Sequence, residues 1–145
     1  MTIGAVVVSH NSADDLPACL EALRGAAGLE RVVVVDNASQ DESPELVRAV
    51  DDPRIELVAE AVNSGFAGGC NRGFRELGDD YEYLAFLNPD VVVSDDCLQR
   101  AADVLARDDT LAGVAPLLMR SDGETVDSIG QVLSRWMLEV SDRGY

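Results

Sequence analysis

The chain has no run of 18 or more apolar residues, so no segment reads as a membrane span. Basic residues are scarce. Eleven stand against 27 acidic ones, a formal net charge of −16. A surface this negative disfavours nucleic acid, which is bound through clustered Lys and Arg. It also repels a bare diphosphate, so binding one would need a cation, and a divalent metal held by carboxylates is the natural one. Cysteines number three, Cys19, Cys70 and Cys97, without zinc or redox spacing, and read as buried reduced thiols. The single histidine, His10, and the lack of a GxSxG elbow argue against a Ser-His-Asp hydrolase. Nothing basic and no small-residue cleavage site accompanies the apolar run from Ile3. That run reads as a buried strand rather than a signal peptide, and the expected location is the cytoplasm.

What is present is ordinary for a globular chain: 145 residues, 47% hydrophobic and 26% charged. The length suits one domain spanning 1–145. Ile3 to Val8 and Arg31 to Val35 are Val-rich runs of the kind found in strands covered on both faces. Ile55 to Val58, Tyr81 to Leu87 and Leu111 to Met119 are read as further strands. Helices are expected from a cap at Asn11 or Ser12 to about Arg24, and from a cap at Ser39 or Asp41 to about Val50. Two more are expected over about Gly68 to Leu77, and from a cap at Ser94 or Asp95 to about Arg107. Residues 125–138 carry no firm pattern. Alternating strands and helices with short connections indicate βαβ units, hence an α/β fold with a mostly parallel sheet flanked by helices.

In open α/β sheets, ligands bind beyond the carboxyl ends of the strands. Those ends read Ser9, His10, Asn11; then Asp36, Asn37; then Asn88, Pro89, Asp90. Each is compatible with a plain turn, but three polar ends on one edge make a stronger signal. Asp36 can accept a hydrogen bond from a ribose or a base. The glycine fingerprint of dinucleotide-binding folds is missing after the first strand, as is a GxxxxGK[ST] loop, which argues against a dehydrogenase or a P-loop enzyme. The glycine-rich stretch from Asn63 to Gly73, with Asn71 and Arg72, offers donors and close backbone approach to an anion. Asp90 can bind Mg²⁺ or Mn²⁺ through oxygen, with Asn88 adding a carbonyl directly or through water. Asp95 and Asp96 read as helix-cap and first-turn acids.

The ordered segments VVVSHNS (6–12), VVVVDNASQDES (32–43), NSGFAGGCNRGF (63–74) and LNPDVVV (87–93) resemble the N-terminal part of glycosyltransferase family 2, particularly its bacterial rhamnosyltransferase-like branch. The resemblance implies a GT-A fold, a Rossmann-like sheet. Its expected function is transfer of a sugar from a nucleoside diphosphate donor to an acceptor hydroxyl, with inversion, in bacterial polysaccharide or cell-wall glycan synthesis. By the same resemblance, Ser9, His10, Asn11, Asp36, Asn63, Gly65, Asn71 and Asn88 line the nucleotide-sugar pocket. Asp90 stands for the last acid of a DxD-like metal motif whose first acid is here Asn88. The implied partners are a nucleoside diphosphate-sugar, with dTDP-rhamnose as first guess, and a glycan or lipid-linked acceptor. Peripheral contact with the inner face of the membrane and a homodimer are compatible with it. The family's general base lies downstream of anything matched here. Asp122, Glu124 and Asp127 come too early for it, so no catalytic residue is assigned and the chain reads as a donor-binding part truncated before the acceptor segment. A binding or assembly module without catalysis is the alternative. A nucleotidyltransferase is disfavoured because Ser9 to Asp15 carries neither glycine nor a basic residue.

Overall fold

The computed structural model describes residues 1–120, 122–128, 131–134 and 139–142. The chain divides into two compact units, Met1–Ala102 and Asp103–Tyr145. The first holds β1 (Ile3–Ser9), α1 (Leu16–Gly25), β2 (Leu29–Asn37), α2 (Ser43–Arg48), β3 (Ile55–Glu60), α3 (Gly65–Leu77), β4 (Tyr83–Leu87) and most of α4 (Cys97–Leu105). Its sheet runs β3-β2-β1-β4, with every pair parallel. Thus the α/β architecture expected from the alternating pattern is present. No described helix is long and apolar enough to cross a membrane.

The Val-rich strands are buried because both faces are covered. On one face Ile3, Ala5, Val7, Val32 and Val34 pack with Leu16, Cys19, Leu20 and Leu23 of α1, Val47 of α2 and Leu98 of α4. On the other, Val6, Val8, Val33, Val35 and Val58 meet Leu77 of α3. Each such aliphatic side chain stabilises the fold by about 1.5–3 kcal/mol on leaving water.

Several boundaries differ from the sequence expectation, for identifiable reasons. Neither Asn11 nor Ser12 caps α1: Asn11 has φ 50° and its side chain is engaged elsewhere, while α1 begins only at Leu16 with Pro17 in its first turn. The Ser12 carbonyl instead accepts from the Asp15 and Leu16 amides. α2 is shorter than expected. Asp41 accepts from the Ser43 amide and hydroxyl, closing a turn ahead of the helix. α4 also starts later and ends earlier, at Cys97 and Leu105.

α3 begins at Gly65, three residues before the expected start, and absorbs most of the glycine-rich stretch. Its glycines serve packing. A Cβ at Gly69 would lie 2.5 Å from Val8, and one at Gly73 would overlap Val6. The helix backbone therefore rests directly on β1, and this tertiary contact outweighs the poor helix propensity of glycine.

In the second unit, β5 (Leu118–Met119) pairs antiparallel with β6 (Val126–Ser128), and β7 (Gln131–Ser134) with β8 (Glu139–Asp142). The strand expected over 111–119 is only its last two residues. Gly113 weakens an extended segment and Pro116 lacks the N–H a ladder needs. Among the described residues, the weakly patterned region 125–138 contains β6 and β7.

Candidate functional site

The parallel sheet delivers the carboxyl ends of β1, β2 and β4 to one edge, and the polar residues singled out in the sequence sit there. Ser9 is opposite Asp36 in the β1–β2 register. The Ser9 hydroxyl is buried and makes no hydrogen bond in the structure. A buried hydroxyl without a partner carries a desolvation cost, so this end of β1 has polar capacity to spare.

The loops after β1 and β2 are stitched together. The Asn11 amide donates to Ser39 Oγ at 2.9 Å. Ser39 Oγ in turn donates to Asp36 Oδ1, and the Ser39 amide to Asp36 Oδ2 at 3.0 Å. Asn11 Oδ1 accepts from the Gln40 amide. The Ser12 amide donates to Ser43 Oγ, and the Ala13 amide to Asp41 Oδ2. The Ser43 hydroxyl, followed by backbone amides, holds the Asp41 carboxyl below its ordinary range. Asn11 and Ala38 are the two described non-glycine residues with positive φ, at 50° and 60°, and both lie in these facing loops. Non-glycine residues held there mark backbone constrained by its surroundings. Asp36 is nearly fully buried and both its oxygens serve its own turn, each retaining further acceptor capacity.

His10 is exposed. Its Nδ1 lies 2.8 Å from the Asn37 carbonyl. A carbonyl only accepts, so Nδ1 carries the proton and Nε2 is left as an acceptor, facing Asn11 Nδ2 at 3.3 Å. The ring is thus held at the edge in one tautomer.

Asn37 also reaches the third segment. Its Nδ2 donates to the Gly65 carbonyl at 3.0 Å, and its Oδ1 accepts from the Ser64 amide and hydroxyl. Asn63 Oδ1 accepts from the Gly65 amide at 2.8 Å. Gly65 has φ +73°, a conformation natural to glycine, and open space where a Cβ would be. Asn71 stands apart. It is exposed on α3, six residues beyond Gly65, roughly 9 Å further along the helix axis at 1.5 Å per residue.

After β4, Asn88 to Val91 form a turn closed by the Val91 amide on the Asn88 carbonyl. That carbonyl is also 3.9 Å from the Cys19 thiol beneath it. Asn88 and Asp90 are exposed. Burial first, and then the Asp90 charge, push the Cys19 thiol up to about 11. Asp95 lies elsewhere: its carbonyl accepts from the Ala27 amide, next to the start of β2 and so at the opposite edge of the sheet. The reading of Asp95 and Asp96 as local helix-start acids fits this placement, and Ser94 Oγ donates to Asp96 Oδ1.

For a divalent ion at this edge, the exposed carboxylate is Asp90, with the Asn88 amide oxygen two residues away, while the Asp36 carboxylate is buried and engaged with Ser39. Among the described residues no group of three His, Cys, Asp or Glu side chains converges. The donor set therefore suits a hard cation sharing its shell with oxygens of a bound phosphate, and does not suit a tight all-protein site. In the second unit Asp122 is a turn acid, accepting from the Thr125 hydroxyl and amide and from the Glu124 amide.

Sequence reasoning underrated Asn37. Its neighbour Asp36 had a familiar role available, whereas the partners of Asn37 lie 27 and 28 residues away in sequence.

The model of the family described as Glycosyl transferase family 2 matches residues 5–137. The chain is 38% identical over 96 residues to the succinoglycan biosynthesis protein ExoO of Rhizobium meliloti, covering 66% of this chain and 27% of that protein. It is 28% identical over 116 residues to the undecaprenyl-phosphate mannosyltransferase of Micrococcus luteus, covering 78% of this chain and 48% of that protein. The chain thus spans between a quarter and a half of the length of these curated relatives. Among solved structures it is similar to the mannosyltransferase PcManGT of Pyrobaculum calidifontis in complex with GDP-Man and Mn²⁺, at a TM-score of 0.65 and 27% identity over 72% of this chain and 32% of that one. It shares its fold with S. aureus TarS in complex with UDP, at a TM-score of 0.64 and 21% identity over 74% of this chain and 32% of that one.

Proposed function

From the premise that this chain belongs to glycosyl transferase family 2, we propose that it forms the donor-binding part of an inverting enzyme that moves a sugar from a nucleoside diphosphate to a glycan or lipid-linked hydroxyl. The observation that carries this reading is the convergence of three polar strand ends on one sheet edge, with Asp90 exposed beside them.

The nucleoside lies against Ser9, His10 and Asn11 and near Asp36, with the 63–65 loop on its other side. His10 presents a planar face and a fixed Nε2 acceptor. Asp90 holds Mg²⁺ or Mn²⁺ jointly with the diphosphate, assisted by Asn88. Such an ion offsets the charge that develops on the departing diphosphate. Asn71 contributes from α3 only to a donor long enough to reach it. No residue of this chain is assigned as the base that deprotonates the acceptor, so sugar transfer is a property proposed for a larger protein. The mannosyltransferase relative and the GDP-Man complex support a sugar nucleotide as donor. They also favour GDP-mannose over the dTDP-rhamnose suggested by the sequence segments. An undecaprenyl-linked acceptor would bring the protein to the inner face of a membrane.

Calorimetric titration with UDP, GDP and dTDP, each with and without Mn²⁺, tests this. At least one is expected to bind, and more tightly with the metal. If a folded sample binds none of them, the reading is wrong. Asp90→Ala is expected to abolish the metal dependence while leaving the fold intact. Metal-dependent binding that survives this change removes Asp90 from the assignment.

A further inference from the structure

We infer that Asn37 is a positioning residue for donor recognition, holding His10 and the 63–65 loop in register with each other. The inference rests on the donor-binding reading above and deepens it.

Asn37 is the last residue of β2 and only 2% exposed. Every polar group it owns beyond the strand ladder is directed at the candidate site. The main-chain carbonyl fixes the His10 ring from one side. The side-chain amide spans to the segment ahead of α3, donating to Gly65 and accepting from Ser64 twice. His10 and Gly65 lie 55 residues apart in sequence and have no other common partner among the hydrogen bonds described here. A primary amide suits the position because it needs one donor and one acceptor on the same planar group. A carboxylate would face the Gly65 carbonyl with a second acceptor, and a hydroxyl is too short to span both contacts. The buried member of these contacts is the Asn37 amide itself, and leaving it unpaired carries a penalty beyond the lost bond.

The immediate surroundings admit little slack. A Cβ on Gly69 would come within 3.2 Å of Asn37 Nδ2 and 2.5 Å of Val8. The α3 backbone, Asn37 and β1 are thus in mutual contact. Asp90 lies beyond β1, at the end of β4, and has no bond with Asn37. The two should therefore act on separable parts of the ligand: Asn37 on how the nucleoside is held, Asp90 on the metal-bound diphosphate.

The variant Asn37→Asp keeps shape and acceptors but removes the Nδ2–H donor. Val47→Ala, a core truncation in α2 remote from the loop, serves as a control for general loss of stability. Both are titrated with the nucleotide that the wild-type chain binds, with and without Mn²⁺, and amide hydrogen exchange is followed without ligand. Asn37→Asp is expected to weaken nucleotide affinity about tenfold and speed exchange at Ser64–Cys70. The ratio of affinities with and without Mn²⁺ is expected to stay as in wild type, and Val47→Ala should change neither the affinity nor the local exchange pattern. Wild-type affinity in Asn37→Asp overturns the inference, as does an affinity loss matched by Val47→Ala at equal melting temperature. If the wild-type chain itself binds no nucleotide, the donor-binding reading falls first and this inference with it. Should Asn37→Asp fail to fold, Asn37→Ser, neutral and smaller, carries the same measurements with the same expected outcomes.

Discussion

The side-chain oxygen of Asn11 accepts the Gln40 amide hydrogen at 2.8 Å, tying the loop after β1 to the loop after β2 across 29 residues of sequence. Because Asn11 also sits at φ 50°, one residue supplies both the tie and a backbone shape that most side chains resist. Its assignment as a direct ligand must therefore share the side chain with a bracing task.

Asn11→Ala is expected to lower stability by roughly 1–2 kcal/mol, from a lost bond and a disfavoured φ. Asn11→Gly removes the bond but tolerates the backbone, and should be the milder of the two. Urea denaturation of both variants checks this. An alanine variant as stable as wild type would show the tie to be ornamental.

Gly73→Ala would ordinarily strengthen a helix by about 1 kcal/mol. Here the new methyl group meets Val6. Overpacking of this kind costs roughly 1–3 kcal/mol, so the net change is expected to be a loss. In a Val6→Ala background the same change should cost less or become favourable. Strict additivity in the double-mutant cycle would mean that helix and strand are not in the close contact described.

Asp52 accepts two hydrogen bonds from the Arg54 guanidinium and one from the Arg54 amide. These bonds, with smaller contributions from the Arg54 and Arg24 charges, hold its carboxyl down to about 2 from an ordinary 3.8. A depressed carboxylate stabilises the fold fully above its unfolded-state value and loses that contribution as pH falls toward the folded one. The stability gap between wild type and Asp52→Asn should thus be complete at about pH 5 and should close between about pH 4 and pH 2. Denaturant titrations at several pH values measure it. A gap that is the same at both ends of that range contradicts the pairing.

Cys19, 1% exposed and with its thiol pushed up to about 11, should resist iodoacetamide in the native state. Cys70 and Cys97 are less buried and should label first. Labelling of Cys19 is expected to follow global unfolding and to accelerate with urea. Mass spectrometry of the labelled chain reads this directly, and equal native-state rates for Cys19 and Cys70 would refute it.

The parts of the fold legible in the sequence were those set by local pattern. The Val runs of β1 and β2 and the 16, 19, 20, 23 spacing of α1 found their places because burial on one or both faces is written into neighbouring residues. The true start of α3 at Gly65 lies three residues before the expected one because Asn63, Ser64 and Gly65 have the composition of a loop, and the Asn37 contacts that fix this segment come from 27 and 28 residues away. Asn11 looked like a cap for the same reason: its actual partner, Gln40, is far along the chain. At the candidate site the strand ends and Asp90 were visible, since chemistry at the end of an apolar run stands out. The work of Asn37 was not, because it consists entirely of contacts with distant segments.

The pairing of β1 with β4 has a temporal side. Ile3 sits opposite Tyr83, and Thr2 and Glu82 exchange hydrogen bonds across 80 residues. The β1–β2–β3 portion needs only the first 60 residues, whereas β4, the strand that leads into the Asn88–Val91 turn, must wait for a much longer loop to close. On an emerging chain the part of the edge built from the ends of β1 and β2 has all its residues first. Asn88 and Asp90 reach that edge only once β4 pairs with β1, so a shortened chain ending before β4 would keep His10 and lack the Asp90 carboxylate.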